Sequence, residues 1–186
     1  MTTDEEVQIE SCLRDTLTRT SDWVKFGEAK NAALLTFASA WLLALGNLAL
    51  GANAIPDASR VAISWAAPFI LIAAVIAIIA ILPQLKLRKA ERYGKSPLFY
   101  DQVHAKTGAA LLAEMQTRYA ITAGEKFSPA YLEDLAEQLA ANSRIASRKF
   151  RLFAWGASSV LVSVLVFFVL AFGRGILSAV AHFFCG

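Results

Sequence analysis

Cysteine and histidine are almost absent: Cys12, Cys185, His104 and His182 are all that 186 residues contain. No spacing among them resembles a zinc, haem or iron–sulfur ligand set, so no metal site is expected. His104 has no Cys or second His nearby and is read as a surface or packing residue. There is no P-loop, no HExxH and no GxSxG. No catalytic residue is assigned, no cofactor is expected, and the chain is not read as an enzyme. Alternating apolar–polar runs and Asn-Gly hairpins are also missing, which excludes a sheet. Charge is scarce: 18% of residues are charged against 56% hydrophobic, where a soluble domain has about a quarter charged. An ordinary soluble enzyme and a disordered chain are both excluded. The opening residues carry Asp4, Glu5 and Glu6 without a basic stretch, unlike a signal peptide.

What is present is three charge-free runs: 32–51 with 20 residues, 61–82 with 22, and 152–173 with 22. At about 1.5 Å of rise per residue each run spans roughly 30 Å, the thickness of a bilayer core. The expected fold class is all-α, an integral membrane protein with three transmembrane helices and a cytoplasmic helical bundle. No charge interrupts a span, and three spans give no pair of inverted repeats, so a proton-coupled transporter is disfavoured.

Residues 1–31 carry four Lys or Arg, 52–60 one, 83–151 twelve, and 174–186 one. Sixteen of the eighteen basic residues therefore fall on one side if all three runs cross. The positive-inside rule assigns that side to the cytoplasm. The expectation is a multi-pass protein of the bacterial inner membrane, with residues 1–31 and 83–151 cytoplasmic and 174–186 a short outer tail. Cys12 and Cys185 then lie on opposite faces and cannot pair within one chain. Trp23, Trp65 and Trp155 fall at headgroup depth. Trp41 falls near the midplane, where its indole N–H needs a partner on another helix.

A weak helical stripe at Ile9, Leu13, Leu17, Thr20 and Val24 predicts a helix running into the first span. Small residues recur at Ala66, Ala73, Ala77 and Ala80 and at Gly156, Ser159 and Ser163, as expected of close helix contacts rather than a water path. Pro68 removes one hydrogen bond from span two. The basic run Lys86, Arg88, Lys89, Arg92, Lys95 reads as a lipid anchor. Ser96-Pro97 and Ser128-Pro129 each place an N-cap residue before a Pro at the first helical position, predicting helices from about 98 and 130, with another over about 108–122. Leu132, Leu135, Leu139, Asn142 and Ala146 form a packing seam that runs without a breaker into span three. Its Asn142 is of the kind that fixes register or oligomer state.

Two stretches carry a family likeness. One runs from Ser21-Asp22-Trp23 through Gly27-Glu28-Ala29-Lys30 to Leu35. The other holds Tyr131-Leu132-Glu133-Asp134-Leu135, then Asn142-Ser143-Arg144-Ile145-Ala146 and Lys149. Ile81-Leu82-Pro83 and Pro97-Leu98-Phe99-Tyr100 fall between them in order. Over about residues 15–175 the chain resembles the Pycsar transmembrane effectors, bacterial anti-phage proteins. The family usually has Asp where Glu28 stands.

The resemblance implies a trigger, cyclic CMP or cyclic UMP made by a partner pyrimidine cyclase, and an output, impaired inner-membrane integrity with growth arrest or death. Such a ligand needs an anion site and an aromatic slot. Arg118, Lys126, the Ser128 helix start, Arg144, Arg148 and Lys149 can supply the first; Tyr119, Phe127 and Tyr131 the second, with the cluster from Arg118 to Tyr131 the most compact in sequence. Helix capping and packing is the competing use of the same residues. Trp23, Glu28, Lys30, Asn142 and Lys149 are read as coupling residues, with Lys30 and Lys149 pairing with Glu28 and Asp134 or with lipid. The partners expected are the bilayer, the nucleotide and further copies of the chain in a homo-oligomer, with no nucleic acid. The alternatives are a scaffold that recruits a partner through its cytoplasmic helices and a constitutive small channel subunit.

Overall fold

A computed structural model of the chain describes residues 3–51, 56–82, 96–98, 103–104, 106–121 and 125–185, with side chains between residues 4 and 173 of those stretches. Among them the structure is all-helical. Helix α1 runs Thr3–Leu50, α2 Asp57–Ile81, α3 Gly108–Arg118 and α4 Pro129–Cys185. Helices α1, α2 and α4 are each long and apolar enough to cross a membrane. Nothing breaks α1 between its polar opening and its apolar half, since neither Gly27 nor Gly46 is followed by a second breaker. Helix α4 likewise passes Gly156 and Gly173 without ending.

The chain divides into two compact units, residues 1–26 with 83–147, and residues 27–82 with 148–186. The first is the polar unit. Here α4 opens at Pro129, with the Ser128 carbonyl accepting from the Tyr131 N–H (2.9 Å) and the Leu132 N–H (3.3 Å). Leu135 and Ala146 of the predicted seam are buried, and Asn142 donates to Ser21 Oγ of α1 at 3.4 Å. Helix α3 is N-capped by Thr107, whose hydroxyl accepts from the Ala110 N–H. It ends at Arg118, short of the expected 122, because Tyr119 leaves helical geometry at the C-cap (φ −106°, ψ 25°). At the other Ser-Pro pair, Ser96 Oγ accepts from the Leu98 N–H at 3.3 Å. The helix expected beyond it, the basic run 86–95 and Gly124 lie outside the described residues.

The second unit packs α1, α2 and α4 in layers seven residues apart, about 10 Å along the helices. In the first layer Gly27 meets Lys149: a Cβ at Gly27 would lie 3.2 Å from the Lys149 Cβ, while Lys149 Nζ reaches the Ala80 carbonyl. In the second, a Cβ at Gly156 would lie 2.6 Å from Leu34 Cδ2 and 3.7 Å from the Ala73 carbonyl oxygen. In the third, Trp41 Nε1 donates to Ser163 Oγ at 3.3 Å, and Ser163 Oγ donates to the Ala66 carbonyl at 2.9 Å. Residue numbers climb together in α1 and α4 and fall in α2, so α2 is antiparallel to the other two. Ala62, Ala66, Ile70, Ala73, Ala77 and Ala80 are the buried face of α2. Five of these six are alanines, which lets backbones approach closely where lipid supplies no hydrophobic drive.

Candidate polar site and family membership

The polar unit gathers its chemistry where α1, the Ser96 turn, the end of α3 and the start of α4 meet. Asp134 is 1% exposed. Both of its oxygens accept from Arg118, Nε to Oδ2 at 2.7 Å and Nη2 to Oδ1 at 2.7 Å, a planar fork-on-fork pair. The Tyr119 hydroxyl adds a third bond, 2.7 Å to Oδ2. Burial pushes the Asp134 carboxyl up, but bonds from Arg118, Tyr119 and Ser96, together with the Arg118 charge, hold it below its ordinary value of 3.8. The Arg118 guanidinium is raised mainly by its bond to Asp134. Burial, then the bond to Asp134, pushes the Tyr119 phenol up to about 12.

Beside this node, Tyr131 anchors an aromatic cluster. Its ring lies edge-on to Tyr119 with centroids 5.6 Å apart and stacks on Phe127 at 6.0 Å with planes 29° apart. Its hydroxyl donates to Glu10 Oε1 at 3.2 Å and accepts from Arg14 Nη2 at 2.6 Å. Arg14 also pairs with Glu10 through Nε, and its guanidinium carbon sits 6.0 Å from the Tyr131 ring centre. That guanidinium is raised chiefly by its bond to Glu10, and burial raises the Tyr131 phenol. Glu6 Oε2 accepts the Lys126 N–H at 3.1 Å. The Lys126 side chain borders an open groove that Asp15 and Arg19 of α1 also line.

Of the residues expected at a ligand site, Arg118, Tyr119, Lys126, Phe127, Ser128 and Tyr131 fall in this one region. Ser128 is buried at the helix start. Arg144 is thirteen residues on from Tyr131 along α4, roughly 20 Å away on the helix axis, and does not join them. Arg14, Glu10 and Glu6 were not anticipated. The signal was their spacing of four, which puts them on one face of α1. The coupling residues divide between the units. Trp23 is exposed and Asn142 holds Ser21, both in the polar unit. In the second unit Lys149 pairs with Glu28 at 2.9 Å, and Lys30 Nζ lies 5.7 and 5.3 Å from the Phe150 and Phe153 ring centres. Of the two carboxylates offered to those lysines, Asp134 goes to Arg118 instead. Among the described residues no group of three or more His, Cys, Asp and Glu is placed to hold a metal ion.

A polar helical unit built around a buried ion pair and an aromatic cluster, joined in one chain to a three-helix membrane unit, defines the class: a small all-α integral membrane protein. Residues 12–175 match the Pycsar effector protein domain. The chain is 38% identical over 149 residues to the Pycsar effector protein RsPycTM of a Rhizobium species, covering 77% of this chain and 83% of that one. It is 34% identical over 163 residues to the Pycsar effector protein PtPycTM of Propioniciclava tarda, covering 84% of this chain and 76% of that one. The chain belongs to the Pycsar effector family. No solved structure matches it.

Proposed function

We propose that this chain is the non-enzymatic membrane-acting effector of a bacterial anti-phage system. A cyclic pyrimidine mononucleotide, cyclic CMP or cyclic UMP made by a partner cyclase, binds its polar unit on the cytoplasmic side. Binding rearranges the helices and impairs the inner membrane, stopping growth.

The observation that carries this reading is the Phe127–Tyr131–Tyr119 aromatic cluster with Arg14 and Lys126 at its margin. A cyclic nucleotide has a flat ring and one negative charge. Aromatic side chains accept the first by stacking, worth about 1–3 kcal/mol per base, and exposed cations accept the second. Arg118 is held by both oxygens of the buried Asp134, so its role is to fix Tyr119 in place. Lys126 and Arg14, which is bonded to Glu10 and Tyr131 but has a side chain 63% exposed, are then the anion contacts.

The test is calorimetric titration of detergent-purified protein with cyclic CMP, cyclic UMP, cyclic AMP and cyclic GMP. One pyrimidine nucleotide binds and the purines do not. Phe127→Ala weakens binding about tenfold or more, as loss of one stacking partner requires. Silence from all four nucleotides on folded protein removes the reading and leaves a scaffold role.

A further inference from the structure

The first layer of the membrane unit holds a charge where the other two hold none. Lys149 is 6% exposed. Its Nζ donates to Glu28 Oε1 of α1 at 2.9 Å and to the Ala80 carbonyl of α2 at 3.3 Å. That carbonyl belongs to the last turn of α2, where helix carbonyls lack partners within the helix. Asn31, 0% exposed, ties the same layer from α1: its amide donates to the Gly27 carbonyl at 2.7 Å and the Lys149 carbonyl at 3.3 Å. One ammonium thus joins all three helices at one end of the bundle, where a Cβ at Gly27 would press on the Lys149 Cβ at 3.2 Å.

We infer that Lys149, held between Glu28 and the Ala80 carbonyl, is a latch that keeps the three membrane helices in their resting arrangement, and that freeing it is the step by which the membrane unit is activated. Two features make this a latch rather than one contact among many. In lipid the helices gain nothing from leaving water, so specific polar ties have unusual leverage over their association. The tie is also lopsided: Lys149 is buried, with its side chain 8% exposed, whereas its partner Glu28 is 55% exposed. A rotation of α1 withdraws the carboxylate into water at little cost and leaves a buried ammonium without its counter-charge, bonded to the Ala80 carbonyl alone. That drives the helices apart. Both α1 and α4 contribute residues to the polar unit as well, so a rearrangement there acts on the helices that carry Glu28 and Lys149. The proposal rests on the effector reading only for its output, membrane leak.

The experiment reconstitutes wild type, Glu28→Gln and Lys149→Met in dye-loaded vesicles at matched protein content and measures leak without any nucleotide. Glu28→Gln, which leaves the buried ammonium without its counter-charge, raises nucleotide-free leak up to about fivefold, and Lys149→Met, which removes the tie and the charge together, leaks more than wild type but less than Glu28→Gln. Lys149→Arg, which keeps the charge and the donors, stays as tight as wild type. If Lys149→Met fails to insert, Glu28→Gln alone decides, because its side chain is more than half exposed. Leak equal to or below wild type in Glu28→Gln overturns the latch. Wild type that ignores every cyclic nucleotide while Glu28→Gln leaks leaves the latch standing and removes the trigger.

Discussion

Asp134 shows how a single residue decides the shape of the polar unit. A carboxylate with 1% exposure is tolerable only because three groups bond it and one of them is charged. Its pKa lies below the unfolded value, so the stability it contributes is fully present above about pH 4 and is lost as the pH falls through the lowered folded value. Tyr119 works at the other extreme. Its phenol is raised to about 12, so its contribution holds below about pH 10 and is lost as the pH climbs through the folded value. Asp134→Asn should cost about 2 kcal/mol at neutral pH, a figure discounted because the Arg118 side chain is 33% exposed. Thermal unfolding in detergent from pH 3 to 8 checks it, and the variant should lose the acid-side slope attributable to this group. In a near-ultraviolet tyrosine titration, Tyr119→Phe should remove a component that ionises near pH 12.

Among the elements, the membrane helices depend on a glycine and a serine on α4. Position 156 is crowded: a Cβ there would meet Leu34 Cδ2 at 2.6 Å. The obstacle is the far end of a side chain, so Gly156→Ala should cost about 1 kcal/mol and Gly156→Leu about 3 kcal/mol. Leu34→Val should recover most of the alanine loss in a double-mutant cycle followed by thermal unfolding. Much of this element's logic was legible in the sequence. Three charge-free runs predicted three spans, the small-residue stripe predicted the buried face of α2, and a midplane Trp41 predicted a cross-helix partner, found in Ser163. The Leu135–Ala146 seam followed from its period alone. Pairings between distant parts of the chain were not legible. Asp134 had candidate cations at similar distances in sequence, and only the fold of α3 against α4 selects Arg118, sixteen residues away. That Lys149 caps the end of α2 was equally hidden, because a backbone carbonyl acceptor has no signature in the side chains. Helix α3 stopped early for a related reason: Tyr119 gives up helical geometry where its hydroxyl is bonded to Asp134.

For the chain in its membrane, the effector reading turns on which face the polar unit occupies, and it needs the cytoplasmic one. A nucleotide made inside the cell cannot reach a site on the outside without crossing the bilayer. Charge supports the cytoplasmic side: sixteen of eighteen basic residues belong to the segments 1–31 and 83–151, and basic residues near the ends of spans resist translocation. The two cysteines provide a direct check, since three crossings put them on opposite faces. Cys12 is an exposed free thiol in the polar unit. In a Cys185→Ser variant, a membrane-impermeant maleimide added to intact spheroplasts should leave the protein unlabelled until the membrane is opened. In a Cys12→Ser variant the same reagent should label Cys185 at once. The reverse pattern would place the aromatic cluster outside the cell, where no cytoplasmic nucleotide could act on it. The reading would then have to pass from a nucleotide-triggered effector to a protein that meets its partner at the outer surface.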